Sequence, residues 1–198
     1  MIDKKELYYE KIRNNLIGHK ISEVFYQEIN YEEIIEYWDF APMIHSVDMN
    51  IIFKLENGKI IQIKWDNEFY CYGIGFEIID KINNQEGFKI INLTSNSVWT
   101  NLINNEIAGI NILWDIDENV KQETLKNNKV VSTREISIHV PQTWEIRFEK
   151  GEKIWISALE IKDDKQFFYW QDHLTLFFDN DGQEKYELIK KASAQHAV

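Results

Sequence analysis

The chain has 198 residues, 44% of them hydrophobic and 14% aromatic, which is enough for a sizeable core and too apolar for wholesale disorder. Its 22 basic residues against 33 acids give a formal net charge of −11, which argues against binding a phosphate backbone. One Cys excludes an internal disulfide framework and a cysteine-rich zinc cluster, and two Pro with eight Gly exclude collagen-like or linker-dominated architectures.

The first residues run from Met1 to Glu6 into Leu7-Tyr8-Tyr9, which is not the apolar core of a signal peptide. No window approaches the roughly 18 uncharged apolar residues of a membrane span, so a cytoplasmic protein is expected. Dense Asn, Ile and Lys usage suggests an AT-rich bacterial genome. Tyr8, Ile12 and Leu16 recur at helical spacing, Asp3 can cap the start and Gly18 can take the left-handed position after the end, so a helix is predicted over about Lys4 to Ile17. Ile21 to Ile29, rich in β-branched and aromatic residues, reads as a strand.

Next comes Asn30-Tyr31-Glu32-Glu33-Ile34-Ile35-Glu36-Tyr37-Trp38-Asp39-Phe40, a connection that mixes acids with aromatic rings. Rings supply desolvated contact area and carboxylates steer encounter, so Glu32, Glu33, Glu36, Tyr37, Trp38 and Asp39 are the candidate contacts for a basic protein partner. The alternative is a helical turn in which Ile34, Ile35 and Trp38 cap the core while the acids are merely solvated.

A hairpin follows. A two-residue Asn57-Gly58 turn would set Phe53 opposite Gln62 and mix the faces of the sheet. A three-residue loop, Glu56-Asn57-Gly58, sets Phe53 opposite Ile61 and Ile51 opposite Ile63, with Gly58 where the loop needs a positive φ. Beyond it, Phe69-Tyr70-Cys71-Tyr72 reads as strand, with Cys71 a small buried hydrophobe, and Gly73 and Gly75 mark a bulge or a close backbone approach.

The second half repeats this order. Leu16 to Val24 aligns with Leu102 to Ile110 at an offset of 86 residues, and Ile51 to Ile63 aligns with Trp144 to Ile156 at an offset of 93. A weaker third match pairs Phe69 to Tyr72 with Phe168-Tyr169-Trp170. A short helix capped by Ser95 or Ser97, with Val98, Leu102 and Ile103 on its apolar face, precedes a strand over Ile107 to Ile116. The acidic stretch Trp114 to Val120 is read as the counterpart of the 30–40 connection. A loop at Glu149-Lys150-Gly151 pairs Trp144 with Ile156 and Ile146 with Ile154. In the strand after it Trp155, Leu159 and Ile161 alternate with Ile154, Ile156 and Ala158, so both faces must be covered. Trp155 and Leu159 are therefore buried within the chain or form the anchor of a homodimer.

The architecture predicted is α+β: mainly antiparallel sheet with short helices, in two tandem helix-strand-hairpin copies near 1–88 and 89–198 that pack as one continuous body. A helix is expected over Glu184 to Lys191.

Catalytic and metal motifs are missing. The five histidines, His19, His45, His139, His173 and His196, show no metal-ligand spacing, and His139 and His173 read as outward strand residues. Asp179-Asn180-Asp181-Gly182 has its Gly at the fourth position and lacks the Glu of a calcium loop, which leaves a tight polar turn. Gly73-Ile74-Gly75 has no third Gly for a dinucleotide, and no serine elbow is present. No cofactor or metal is expected. The overall profile resembles, in type only and with no motif behind it, the immunity proteins that neutralise co-produced toxins. On that view the chain is a non-catalytic binder of a basic toxin or nuclease. The other expectation is a small-molecule-binding or enzymatic domain whose pocket between the copies is lined by Trp65, Tyr72, Trp114 and Trp144.

Overall fold

The computed structural model describes residues 3–30, 38–66, 68–69, 72–163, 166–186 and 188. Helix α1 (Lys4–Leu16) begins where the Asp3 carboxylate accepts from the Lys5 amide, and it ends before Gly18, whose φ is +81°. Tyr8, Ile12 and Leu16 form its buried face, as their spacing predicts. The strands are β1 (Ile21–Ile29), β2 (Trp38–Ala41), β3 (Ile44–Val47), β4 (Asn50–Leu55), β5 (Ile60–Asp66), β6 (Gly73–Ile79) and β7 (Phe88–Asn92). Helix α2 (Ser97–Thr100) follows, then β8 (Ile107–Lys126), β9 (Lys129–Phe148), β10 (Lys153–Asp163), β11 (Gln166–Phe177) and helix α3 (Asn180–Lys185). The fold is α+β and mostly antiparallel sheet. Among the described residues no helix is long and apolar enough to cross a membrane.

Two sheets form, in the orders β6-β5-β4-β1-β7 and β2-β3-β11-β10-β9-β8. Each contains a run of four antiparallel neighbours, β1-β4-β5-β6 in one and the meander β8-β9-β10-β11 in the other, the β1–β4 connection passing through β2 and β3 of the second sheet. The registers agree closely. Ile21, Val24 and Tyr26 face Leu55, Phe53 and Ile51, while Ile107, Ile110 and Ile112 face Phe148, Ile146 and Trp144. Each pairing has a register shift just after its first residue. In both hairpins the three-residue loop is present: the Gly58 amide donates to Leu55 O and the Gly151 amide to Phe148 O, with φ of +86° and +99°. Phe53 pairs with Ile61 and Ile146 with Ile154, so the apolar sets share a face. The sheets touch through the main chain at one corner. There Gly18 N–H donates to Ile107 O, Asn104 N–H donates to Ile21 O, and Lys20 bridges Glu106.

One core runs through both halves, from Val24, Tyr26, Phe53 and Ile63 to Trp144, Ile146, Ile156 and Leu176, with α1 and Trp99 of α2 packed into it. Each such large apolar side chain contributes about 1.5–3 kcal/mol by leaving water. Tyr8 carries a polar thread through this core: its hydroxyl donates to Ile74 O and accepts from Trp144 Nε1. A second cluster covers the other face of the β10–β11 sheet, where Trp155, Leu159, Ile161, Ile44 and Phe177 pack with Tyr186 and Leu188.

Several expectations are corrected. Asn96, not Ser95 or Ser97, caps α2, and its buried residue is Trp99. Asp179 accepts from Gly182 N–H as the cap of α3, so 179–182 starts a helix instead of a simple turn. α3 covers Glu184 and Lys185 of the expected helix and ends there with Tyr186 as its C-cap; of the rest of the expected run to Lys191 only Leu188 is among the described residues. Phe69 and Tyr72 lie in the loop before β6, while Phe168 and Tyr169 lie inside β11, so the third block of the alignment has no shared geometry. Cys71 lies outside the described residues. β6 pairs with β5 without a bulge, and Gly73 and Gly75 serve close approach: a Cβ at Gly73 would sit 2.9 Å from Pro141 Cδ of β9. The stretch Trp114 to Val120 is not a connection. β8 continues through it into a long hairpin with β9.

Candidate functional site

The acidic aromatic segment begins at the end of β1. Asn30 N–H is tied to Gly87 O, and Ile29 ends the strand. Glu32, Glu33, Glu36 and Tyr37 lie outside the described residues. The backbone of Trp38 and Asp39 is in β2, opposite Ser46 and His45 at the outer edge of the six-stranded sheet.

Beside that edge the two sheets part to form an open cleft of about 620 Å³, lined by Ile29, Asp48, Met49 and Trp65 on one side and Ser46, Glu160, Lys162, Asp172 and His173 on the other. Trp65 is fixed as one wall by donating its indole N–H to Asp48 O at 3.0 Å, and Tyr72, at φ +54°, packs against it with ring centres 5.6 Å apart. Three carboxylates, Asp48, Glu160 and Asp172, therefore meet one ammonium, Lys162, which itself lies 3.8 Å from Glu160.

His173 lies on β11 beside Ser46 and Asp48. Its Nε2 shares a 2.5 Å hydrogen bond with Ser46 Oγ, and its Nδ1 lies 3.7 Å from Asp48 Oδ1. Burial lowers the imidazole's pKa against the upward pull of Asp48, Glu160 and Asp172, so the ring is neutral at neutral pH. The residue types are those of an acyl-transfer triad, but the geometry is not. The Asp–His separation exceeds a hydrogen bond, and Ser46 is a buried residue within strand β3, held between β2 and β11. The group is a polar cluster where β3 and β11 of the six-stranded sheet border the cleft.

Next to Asp48 lies Glu28, 2% exposed. Its Oε2 accepts from the Asp48 amide at 2.9 Å, while Oε1 has no partner among the described residues. Burial pushes its pKa up to about 8, opposed by that amide and reinforced by the Asp48 charge, so Glu28 is protonated at neutral pH.

The four aromatic residues expected to line one pocket are distributed differently. Trp65 lines this cleft, and Tyr72 packs against it without lining the cleft. Trp114 packs on Tyr8 and Phe69 and borders a separate cavity of about 10 Å³. Trp144 is wholly buried in the core, where it supports Tyr8 and lines nothing open. Trp155 and Leu159 are buried under Tyr186 and Leu188, so the intramolecular alternative holds and neither is presented as a dimer anchor. His173 is likewise not an outward strand residue. His139 is half-buried, with Lys5 Nζ at its Nδ1.

Sequence reading missed Ser46, Asp48, Glu160, Asp172 and His173 as a group because they come from distant segments; Ser46 and His173 are 127 residues apart. No spacing carries such a signal. Among the described residues no group of three or more His, Cys, Asp or Glu is placed to hold a metal ion. The chain matches no family model, no curated protein and no solved structure.

Proposed function

We propose that the chain is a non-catalytic cytoplasmic binding protein that captures a basic protein partner, in the manner of an immunity-type inhibitor of a toxin or nuclease. The observation that carries this reading is the acidic cleft with an aromatic wall, from whose rim the acidic 30–40 segment departs at Ile29. A cationic side chain of the partner enters between Trp65 and the carboxylates of Asp48, Glu160 and Asp172. Glu32, Glu33, Glu36, Tyr37, Trp38 and Asp39 are the further contacts the sequence offers to the same partner. The net charge of −11 adds long-range steering.

Affinity capture from the native organism with the wild type and with a Glu33→Lys/Glu36→Lys variant tests it. A basic protein is expected on the wild type, released as salt rises and absent from the variant. A stably folded variant that still retains the same partner removes the assignment.

The size of the cleft favours a second reading, a small cationic molecule bound by the same groups. Calorimetry with simple amines and guanidines separates the two, since only this reading predicts saturable binding of the small compound alone.

We infer further that the halves near 1–88 and 89–198 descend from one duplicated unit. Support comes from the matching order of the two four-strand runs, their equivalent registers and bulges at the offsets of 86 and 93 residues seen in the sequence, and the reciprocal bonds of Gly18 and Asn104.

A further inference from the structure

Beyond the last pairing of β9 with β10, at Thr143 and Ser157, strand β9 pairs with β8 alone. From Val120↔Ile136 to Lys126↔Lys129 seven successive pairs form a two-stranded ribbon about 20 Å long. Every residue from 121 to 135 is exposed. Its tip is a two-residue turn, Asn127-Asn128, with φ of +52° and +59° at both positions, the type that matches the twist of the strands. A ribbon of this kind, packed on neither face, is marginal in water, and this one leaves Leu125, Val130 and Val131 open to solvent near its tip.

The ribbon's charge is the reverse of the molecule's. It holds Lys121, Lys126, Lys129 and Arg134 against Glu123 and Glu135, in a chain of net charge −11. Strand alternation, with the register shift between Thr124 and Leu125 that leaves Val131 unpaired, then sorts these residues by face. Val120, Gln122, Thr124 and Lys126 share one face with their partners Ile136, Arg134, Ser132 and Lys129, and the Arg134–Gln122 hydrogen bond of 2.7 Å lies on it. That face has three positive charges and no acid between Val120 and Ile136. Moreover, Lys126 and Lys129 stand directly opposite each other, a like-charge pair that costs free energy until an anionic surface lies against it.

We propose that this basic face is a self-association surface whose occupant is the acidic body of a second copy of the chain. Charge complementarity decides the occupant. Two ribbons cannot stack basic face on basic face, and a nucleic acid duplex would have to approach a strongly acidic molecule to reach a short basic arm. The body of another copy carries the opposite charge in excess. Reciprocal placement of two arms gives a closed two-fold dimer.

Sedimentation velocity on the full chain over a range of concentrations and salt tests this, with zero-length carbodiimide cross-linking to map the contact. A dimer is expected at low salt, weakening by about tenfold or more at high salt, with cross-links from Lys126 or Lys129 to acids outside the ribbon. Lys126→Glu/Lys129→Glu/Arg134→Glu is expected to be monomeric with unchanged circular dichroism. A second variant, in which Asn-Gly replaces 121–135, must also be monomeric, which covers a failure of the triple variant to fold. A wild type that stays monomeric at low salt, or a dimer that survives loss of the ribbon, overturns the proposal. Ribbon-dependent binding of a labelled DNA duplex by a monomer overturns it as well, in favour of nucleic acid.

Discussion

Glu28 is a carboxyl held far from its free state. Its folded pKa of about 8 lies above the ordinary value of 4.5, so folding is favoured by the protonated form. Below pH 4.5 both states are protonated and nothing is lost. As pH rises from about 4.5 to about 8 the unfolded chain ionises first, and stability declines across that window. His173 runs the other way: its lowered pKa costs stability as pH falls through its ordinary range near 6.5. Comparison with Glu28→Gln isolates the carboxyl. That variant is expected to be more stable than the wild type at pH 8 by roughly 1–3 kcal/mol and equal to it near pH 4, read from urea melts. The gain comes from removing a carboxyl that must desolvate or stay protonated. A variant less stable at pH 8 would mean that the unpartnered oxygen is hydrated.

At the scale of elements, the ribbon and the body are energetically separate. Val120 and Ile136 form a cross-strand pair, so excising 121–135 and closing the gap with Asn-Gly gives a permitted two-residue turn. The excision is expected to change thermal stability by less than about 1 kcal/mol, because no buried residue is removed. A larger loss would show that the ribbon supports the body. Local elements were the legible part of the sequence. The α1 spacing, the β1 boundaries and both three-residue loops follow from periodicity and from one glycine each. The length of β8 and β9 was not legible, since alternation looks alike whether a strand is shielded or stands in water. Neither was the place of β2 and β3, which follow β1 in sequence yet join the other sheet through the β3–β11 pairing. The cleft was illegible for the same reason. Trp65 stood out by type, but Asp48, Glu160 and His173 become a group only through that pairing between distant segments.

Across the whole molecule the halves are interlocked. One core holds residues of both sheets, α1 donates Tyr9 to Ile110 O of β8, and Trp144 of β9 donates to Tyr8. A single unfolding transition is therefore expected, with far-ultraviolet circular dichroism and tryptophan fluorescence coinciding; two separated transitions would mean that the halves melt independently. The same crossing sets an order of assembly during synthesis. Helix α1 and the β2–β3 pair are made early, but their partners β8 and β11 leave the ribosome late. The nascent first half therefore waits, with Tyr8, Ile12 and Val47 incompletely sheltered, until β8 to β11 have been released, and in that interval a chaperone has most to protect.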